Sequence, residues 1–164
     1  MCIRDSLRTI RDLKPRSIVQ LGVGDGQQAL EILEYAKQQS SPTQNAQLSY
    51  CGVDLFEASP PDHPHLTLRE AHKQFSAVAD KVRLVPGAPE STLQRCANDL
   101  TGTDLLVISK HVEQCETLWT FAPRMLIPES LVLIESKDEP HWRILTPTEI
   151  PAATRTSNGK RSAA

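Results

Sequence analysis

The chain has 164 residues, a length typical of one domain with a sizeable hydrophobic core. Its formal net charge is -2, so the composition indicates neither a nucleic-acid surface nor an anionic membrane surface as its partner. No apolar run approaches the roughly 20 residues that a membrane helix needs. The cysteines, Cys2, Cys51, Cys96 and Cys115, show no CxxC pair and no metal-ligand spacing, which favours reduced thiols in a cytoplasmic protein.

The two ends of the chain differ in pattern from its middle. Residues 1–6 lack the apolar core of a signal peptide, and we expect them to be a leader that takes no part in the fold. Leu7, Ile10 and Leu13 recur at near-helical spacing and predict a short helix. The last residues are mostly small and polar, which predicts a flexible tail. The predicted organisation is a leader with a short helix (1–13), one domain (14–146) and a tail (147–164).

Apolar strand-like runs alternate with amphipathic segments along the domain. Strands are predicted at 18–23, 48–56, 81–85, 104–109 and 131–135, and the pattern permits a further one at 142–145. Apolar stripes of helical period lie on 29–36, 68–78, 93–100 and 115–122. Thr67 and Glu70 have the spacing of a capping box at the start of the second of these helices. The alternation predicts a doubly wound α/β domain with a mainly parallel sheet of five to six strands between two layers of helices.

Three glycines at alternate positions, Gly22, Gly24 and Gly26, follow the first predicted strand, and a helical pattern begins directly after them. Glycine lets the backbone turn with positive φ and lets a ligand approach where a Cβ would block it. A helix that begins after such a turn presents free N–H groups and the positive end of its dipole to it. Because ligands of doubly wound sheets bind at this edge, the turn predicts a site for a polar, nucleotide-like molecule.

The glycine spacing bears on which nucleotide binds. Dinucleotide-dependent oxidoreductases carry G-x-G-x-x-G, whereas here Gln27 stands at the position that this pattern requires to be glycine. The acid expected about 20 residues further on is also displaced, to Asp54. An NAD(P)-dependent oxidoreductase is therefore the weaker alternative. A turn that merely packs a strand against a helix, with no ligand, is a second alternative.

At this point the chain resembles the class I S-adenosylmethionine-dependent methyltransferases, most closely the small O-methyltransferase-like members. The resemblance covers roughly residues 14–136 and lies in four motifs, at 20–26, 52–56, 82–88 and 104–108. It implies their Rossmann-like fold, S-adenosylmethionine as the cofactor, and methyl transfer to an oxygen or a nitrogen of a small-molecule acceptor. A catalytically inactive module of the same fold, which binds S-adenosylmethionine or S-adenosylhomocysteine, is the alternative that the resemblance leaves open.

The resemblance implies a role for each motif. The glycines would lie against the methionine and ribose parts of the cofactor, and Asp54 would accept hydrogen bonds from both ribose hydroxyls. Residues that follow the second and third strands would surround the adenine, at its border or beneath it. The candidate cofactor-binding residues are Gln20, Gly22, Gly24, Asp25, Gly26, Asp54, Leu55, Phe56, Gly87, Ala88 and Ser109.

Three of these positions depart from the family pattern. Gln20 stands where an acid usually precedes the glycines, and Ala88 stands where an acid often accepts from the adenine amino group. Ser109 replaces the aspartate of the metal-dependent members, and because a hard divalent cation prefers several carboxylate oxygens, we expect a metal-independent reaction with no metal site. Lys110 and His111 lie where an acceptor would enter and are the candidate catalytic residues.

Overall fold

The computed structural model describes residues 3–40, 47–112, 114–137 and 142–150. The strands are β1 (Ser17–Leu21), β2 (Ser49–Asp54), β3 (Lys81–Pro86), β4 (Thr103–Ile108), β5 (Leu126–Glu135) and β6 (Trp142–Leu145). The helices are α1 (Ile3–Leu13), α2 (Gln27–Gln39), α3 (Leu68–Ser76), α4 (Pro89–Cys96) and α5 (Glu116–Phe121). Short 3₁₀ turns lie at Phe56–Ala58, Ala97–Leu100, Ala122–Arg124 and Pro147–Glu149.

The strands form one sheet in the order β3-β2-β1-β4-β5-β6. The first five are parallel, and β6 pairs with β5 in the antiparallel sense. The chain leaves β1 toward β3 and then crosses back to β4, so the direction of winding reverses between β1 and β4. Ligands of open α/β sheets bind at such a reversal, outside the carboxyl ends of the strands. The predicted doubly wound, mainly parallel fold is confirmed.

Buried apolar side chains lie on both faces of the sheet, as a central parallel sheet requires. Along β1, Ile18 belongs to the cluster that includes α2 and α3, whereas Val19 belongs to the cluster that includes α4 and α5. Neighbouring residues of a strand point to opposite faces, so the two clusters are the two halves of one core. Trp119 is 5% exposed and belongs to the second cluster, so it is a core residue.

The ends of the chain contribute more to the fold than their sequence suggests. Helix α1 begins at Ile3, so residues 3–6, expected to be a leader without structure, are helical. Ile10 of the same helix is buried in the core. At the other end Ile150 is 1% exposed and belongs to the second cluster. The boundary predicted between domain and tail, at residue 147, therefore lies too early in the chain. Residues 151–164 lie outside the described residues, and a flexible tail there stays a prediction.

Strand β5 is longer than its apolar run predicts, because it begins five residues earlier, at Leu126 rather than 131. The extension contains Pro128 and coincides with a register shift between Thr103 and Leu105 of the neighbouring strand. The hydroxyl of Ser130 donates to the Thr103 carbonyl oxygen (2.7 Å) and so joins the two strands there. An irregular stretch of ladder does not need the N–H that proline lacks. Among the described residues, no helix is both long and apolar enough to span a membrane.

Candidate functional site

The glycine loop, defined here as residues 22–26, joins β1 to α2 at the carboxyl edge of the sheet. All three of its glycines have positive φ: 80° at Gly22, 59° at Gly24 and 79° at Gly26. A Cβ on Gly22 would lie 2.8 Å from a methyl of Val112 and 2.9 Å from the Cβ of Ser109. Glycine is therefore needed at Gly22 both for its backbone conformation and for the close approach of the loop to the end of β4.

Asp54, the last residue of β2, holds the glycine loop directly. Its Oδ2 accepts hydrogen bonds from the backbone N–H groups of Val23 (2.6 Å) and Gly24 (2.8 Å), and its Oδ1 accepts one from Leu55 (2.7 Å). A carboxylate offers about four lone-pair positions, so these three bonds leave about one free. The resemblance implied that Asp54 accepts from both ribose hydroxyls, whereas the arrangement seen here has room for one.

Gln20 lies beneath the loop and not in contact with the space above it. Its side chain is 1% exposed, and its Nε2 donates to the carbonyl oxygen of Gly22 (3.2 Å) and to Oε1 of Gln28 (3.0 Å). Its Oε1 accepts from the hydroxyl of Tyr50 (3.0 Å). Burial raises the pKa of Tyr50 well above its usual value, so the phenol stays a donor. Gln20 is thus a positioning residue that supports the loop from below.

A cavity of about 520 Å³ opens above the loop at the carboxyl edge of the sheet. This volume lies within the range of small-molecule sites, roughly 300–1,000 Å³. Most of the residues singled out in the sequence come together in its wall. They are Gly22, Gly24, Asp25, Asp54, Leu55, Ala88, Ser109, Lys110 and His111.

Four of the candidate residues lie outside that wall. Besides Gln20 they include Gly26, which begins α2 and where a Cβ would lie 2.5 Å from the Cδ1 of Leu66. The resemblance implied that Phe56 borders the adenine. Its positive φ of 50° turns the chain, however, and the ring lies in the core with 1% exposure.

The fourth is Gly87, which braces the ends of two strands. Its N–H donates to the carbonyl oxygen of Asp54 (2.9 Å), so it ties the end of β3 to the end of β2. A Cβ on Gly87 would lie 2.5 Å from Oγ1 of Thr92 on α4, and its φ is 144°. The glycine therefore permits α4 to pack close behind Ala88, which does line the cavity.

The end of β4 presents Lys110 and His111 at the cavity. The N–H of Ser109 donates to the carbonyl oxygen of Leu21 (3.0 Å), which continues the pairing of β4 with β1. The N–H of His111 points to Oγ of Ser109 (3.4 Å), and the backbone N–H of Lys110 donates to Oε2 of Glu135 (3.1 Å). Both candidate catalytic residues are exposed, on a turn whose backbone is held from two strands.

Sequence reasoning missed the connection after β2 as part of the site. Ser59, Pro60, His63 and Pro64 line the cavity, and none of them was among the candidate site residues. The N–H of Leu66 donates to the carbonyl oxygen of Gly24 (3.1 Å) and fixes the segment to the glycine loop. The prolines, which restrict the backbone, were the one signal in the sequence that this loop has a defined course.

This loop brings a second imidazole, that of His63, next to His111. The rings of His63 and His111 lie with their centroids 5.6 Å apart and their planes at 35°. Oδ2 of Asp62 is 4.0 Å from Nε2 of His63, on an exposed part of the loop. Within the described part of the chain, no three His, Cys, Asp or Glu side chains come together in a way that could hold a metal ion.

Carboxylates outnumber cations in the described wall of the cavity. Asp25, Asp54, Glu90 and Glu135 line it, against the single ammonium of Lys110. Asp25 also accepts a hydrogen bond from the N–H of Gln27 in the first turn of α2 (3.1 Å). A carboxylate therefore occupies the helix end that binds a pyrophosphate in dinucleotide enzymes.

Comparisons with known proteins locate the fold. No protein-family model matches the chain, and no curated protein matches it in sequence. A methyltransferase from Geobacter sulfurreducens has a similar structure, with a TM-score of 0.53 and 17% identity over 80% of this chain and 58% of that one. A putative caffeoyl-CoA O-methyltransferase from Staphylococcus aureus has a TM-score of 0.53 and 13% identity, over 81% of this chain and 56% of that one.

A methyltransferase from Podospora anserina, solved with S-adenosylhomocysteine bound, is also similar, with a TM-score of 0.52 and 21% identity over 95% of this chain and 67% of that one. At such identities the likeness shows the fold alone: this chain has the Rossmann-like fold of the class I methyltransferases. It spans 58% and 56% of the length of the first two neighbours.

Proposed function

We propose that this chain is an S-adenosylmethionine-dependent methyltransferase that acts, without a metal ion, on an oxygen or a nitrogen of a small molecule. The observation that carries the proposal is the direct bonding of Asp54 to the glycine loop at the cavity of about 520 Å³. When bound, the cofactor supplies an electrophilic methyl group on a sulfonium. The similarity in fold to solved methyltransferases supports the same conclusion.

The order of the strands gives the cavity two ends, and an elongated ligand can cross between them. Asp54 ends β2 and Ala88 follows β3 on one side of the glycine loop, whereas Ser109 and His111 follow β4 on the other. We assign the adenosine to the first side, where Asp54 retains about one lone pair for a ribose hydroxyl. The methionine part then lies along the glycine loop, and the acceptor enters beside His111.

The charges of the wall favour this cofactor over a dinucleotide. S-adenosylmethionine has a net positive charge, because its sulfonium and ammonium outweigh its one carboxylate, and it is therefore attracted to the carboxylates around the cavity. A pyrophosphate is repelled by the same carboxylates, and Asp25 already occupies the start of α2. The NAD(P)-dependent oxidoreductase is for this reason the poorer interpretation of the site.

Methyl transfer asks little of the protein beyond positioning. A nucleophile must be held in line with the methyl group at near-attack distance, and a base is needed where the nucleophile loses a proton. His111 is exposed in the wall and can accept such a proton. Gln20 and Ala88 stand where the family pattern has acids, and for this reason an inactive binding module is the second candidate.

Calorimetric titration of the protein with S-adenosylmethionine and S-adenosylhomocysteine tests the proposal first. Binding of both is expected, with mutual competition and no response to NADH. Transfer of a radiolabelled methyl group to a panel of small amines, phenols and alcohols tests it second. Absence of binding would eliminate the enzyme and the inactive module together, whereas binding without transfer to any acceptor would favour the inactive module.

A further inference from the structure

Three side chains can accept hydrogen bonds at the end of the cavity where the methyl acceptor would enter. Glu135 ends β5, next to β4 in the sheet, and lines the cavity together with His111. His63 comes from the loop after β2, and its ring centroid lies 5.6 Å from that of His111. A carboxylate accepts only, and a neutral imidazole accepts on one of its two ring nitrogens. These side chains therefore suit a ligand group that donates several hydrogen bonds.

In the contact between Glu135 and Lys110, the side chain of Glu135 is the one held in place. Its side chain is 19% exposed, and its Oε2 is anchored by the backbone N–H of Lys110 at 3.1 Å. The Lys110 ammonium is 4.0 Å from the other oxygen, Oε1, and its side chain is 46% exposed. So loose and exposed an ion pair contributes little, and a long side chain leaves it at small cost. Another ammonium can therefore take the place of Lys110 at Oε1.

An anionic acceptor fits this end less well. Lys110 is the only lysine or arginine in the described wall, and Glu135 stands beside it. A carboxylate or phosphate that approached Lys110 would be repelled by Glu135 and would deprive it of its counter-ion. The ion pair thus discriminates against acidic methyl acceptors, because any anion that reaches Lys110 also meets the negative charge of Glu135.

We propose that the methyl acceptor is a small primary or secondary amine, which Glu135 binds as an ammonium ion and His111 deprotonates. This inference rests on the proposed methyltransferase function and narrows its acceptor to nitrogen. The imidazole of His111 takes one proton from the ammonium and releases it to solvent. The freed nitrogen lone pair forms the new N–C bond while the S–C bond of the donor breaks, and sulfur keeps the bonding pair.

The test compares three probes that share a ring and differ in the attached group: benzylamine, benzyl alcohol and benzoate. Each is titrated by saturation-transfer NMR into the protein loaded with S-adenosylhomocysteine. We expect benzylamine to bind at least about tenfold more tightly than the alcohol, since a charge-assisted hydrogen bond is about twice as strong as a neutral one. Benzoate should bind least.

Two variants locate the preference. Glu135→Gln keeps an oxygen for the N–H of Lys110 but removes the charge, and it should abolish the preference for benzylamine while S-adenosylhomocysteine still binds. Glu129→Gln is the matched control, because it removes the same charge from an exposed position of β5 outside the cavity wall. It should retain the full preference.

Equal binding of the three probes, no binding of benzylamine, or a preference that survives in Glu135→Gln would each overturn the amine assignment. These results are separate from the failure of the proposed function, which is the absence of S-adenosylhomocysteine binding. In that event the three probes are titrated into the unloaded protein, and the same comparison decides which charge this end of the cavity selects.

Discussion

Asp54 and Gly24 are joined by a hydrogen bond of 2.8 Å from the loop N–H to the carboxylate oxygen Oδ2. The bond connects the end of one strand to the turn after its neighbour, and Val23 makes a second, shorter bond to the same oxygen. The carboxylate consequently has two tasks, since it holds the shape of the loop and carries the remaining acceptor position toward the cavity. A change at Asp54 should therefore affect stability and binding together.

Asp54→Ala is expected to weaken S-adenosylhomocysteine binding by about 1–3 kcal/mol, through loss of charge-assisted hydrogen bonds. The free energy of unfolding should fall as well, because two loop N–H groups lose their acceptor. Calorimetry and urea denaturation measure the two effects. Asp99→Ala is the control, since this carboxylate is 63% exposed and makes a 3.5 Å contact with the exposed Arg83. Unchanged affinity in Asp54→Ala would contradict the assignment of the ribose to Asp54.

Gln20→Glu restores the acid that the resemblance led us to expect, and we predict that it destabilises this protein. The new carboxylate would face the carbonyl oxygen of Gly22 and Oε1 of Gln28, both of which now accept from the amide. The Tyr50 hydroxyl would still donate to it, but a buried charge with that single donor and two facing acceptors costs about 2–4 kcal/mol. Urea denaturation at pH 7 measures the loss, which should shrink in acid as the carboxyl becomes protonated.

Gln27→Glu is the matched control for this change. Gln27 is exposed in the first turn of α2, where a negative charge is neutral or favourable. Equal stability of Gln20→Glu and the parent protein at pH 7 would show that the network beneath the loop tolerates an acid.

Comparison of Gly24→Ala with Gly102→Ala separates two effects of an added Cβ: the strain of a positive φ, which lowers stability, and obstruction of the cavity, which lowers cofactor affinity. Both glycines have positive φ, and each alanine should cost about 1 kcal/mol of stability for that reason. Neither would meet a serious clash, because the nearest atom to a Cβ on Gly24 is the Pro64 oxygen at 3.8 Å and none lies within 4 Å at Gly102. Only Gly24 lines the cavity, so only Gly24→Ala should weaken cofactor binding in calorimetry. Equal binding by the two variants would mean that the ligand does not lie on this loop.

Features that depend on residues close together in the chain were predicted well from the sequence. Apolar periodicity located the strands, and the spacing of Thr67 and Glu70 predicted a capping box that the structure confirms, with bonds of 3.0 and 3.2 Å. The glycine turn and the acid at the end of β2 were likewise recognisable, because their distinctive residues lie within a few positions of each other.

The remainder depends on partners distant in the chain. Gln20 looked like a lost acid, since nothing in its own segment indicates that Tyr50 donates to it. Phe56 was expected at the cavity because the family resemblance implies that it borders the adenine, but a positive φ turned its ring into the core. His63 had no periodic pattern to place it, and its position opposite His111 follows from a backbone bond between Leu66 and Gly24.

Asp80 makes the stability of the fold sensitive to acid. Its Oδ1 accepts from Nζ of Lys37 (2.9 Å) and its Oδ2 from the N–H of Leu48 (2.7 Å). These bonds, above all the one from Lys37, lower the pKa of Asp80 in the folded protein. The stabilisation is therefore complete above the unfolded pKa and is lost as the pH falls through the lower, folded value.

We accordingly expect Asp80→Asn to be less stable than the parent protein at pH 7, and the difference to shrink between about pH 5 and pH 3. Urea denaturation midpoints across this range measure it. Asp12→Asn is the control, because that carboxylate is 82% exposed and lies 3.7 Å from the neighbouring Arg11, which is itself exposed. Its small effect should vary little with pH. The difference in stability between Asp80→Asn and the parent protein could instead stay constant from pH 7 to pH 3. That result would show that Lys37 and Leu48 do not lower the pKa of Asp80 on folding, since only a folded pKa below the unfolded one makes the stabilisation disappear in acid.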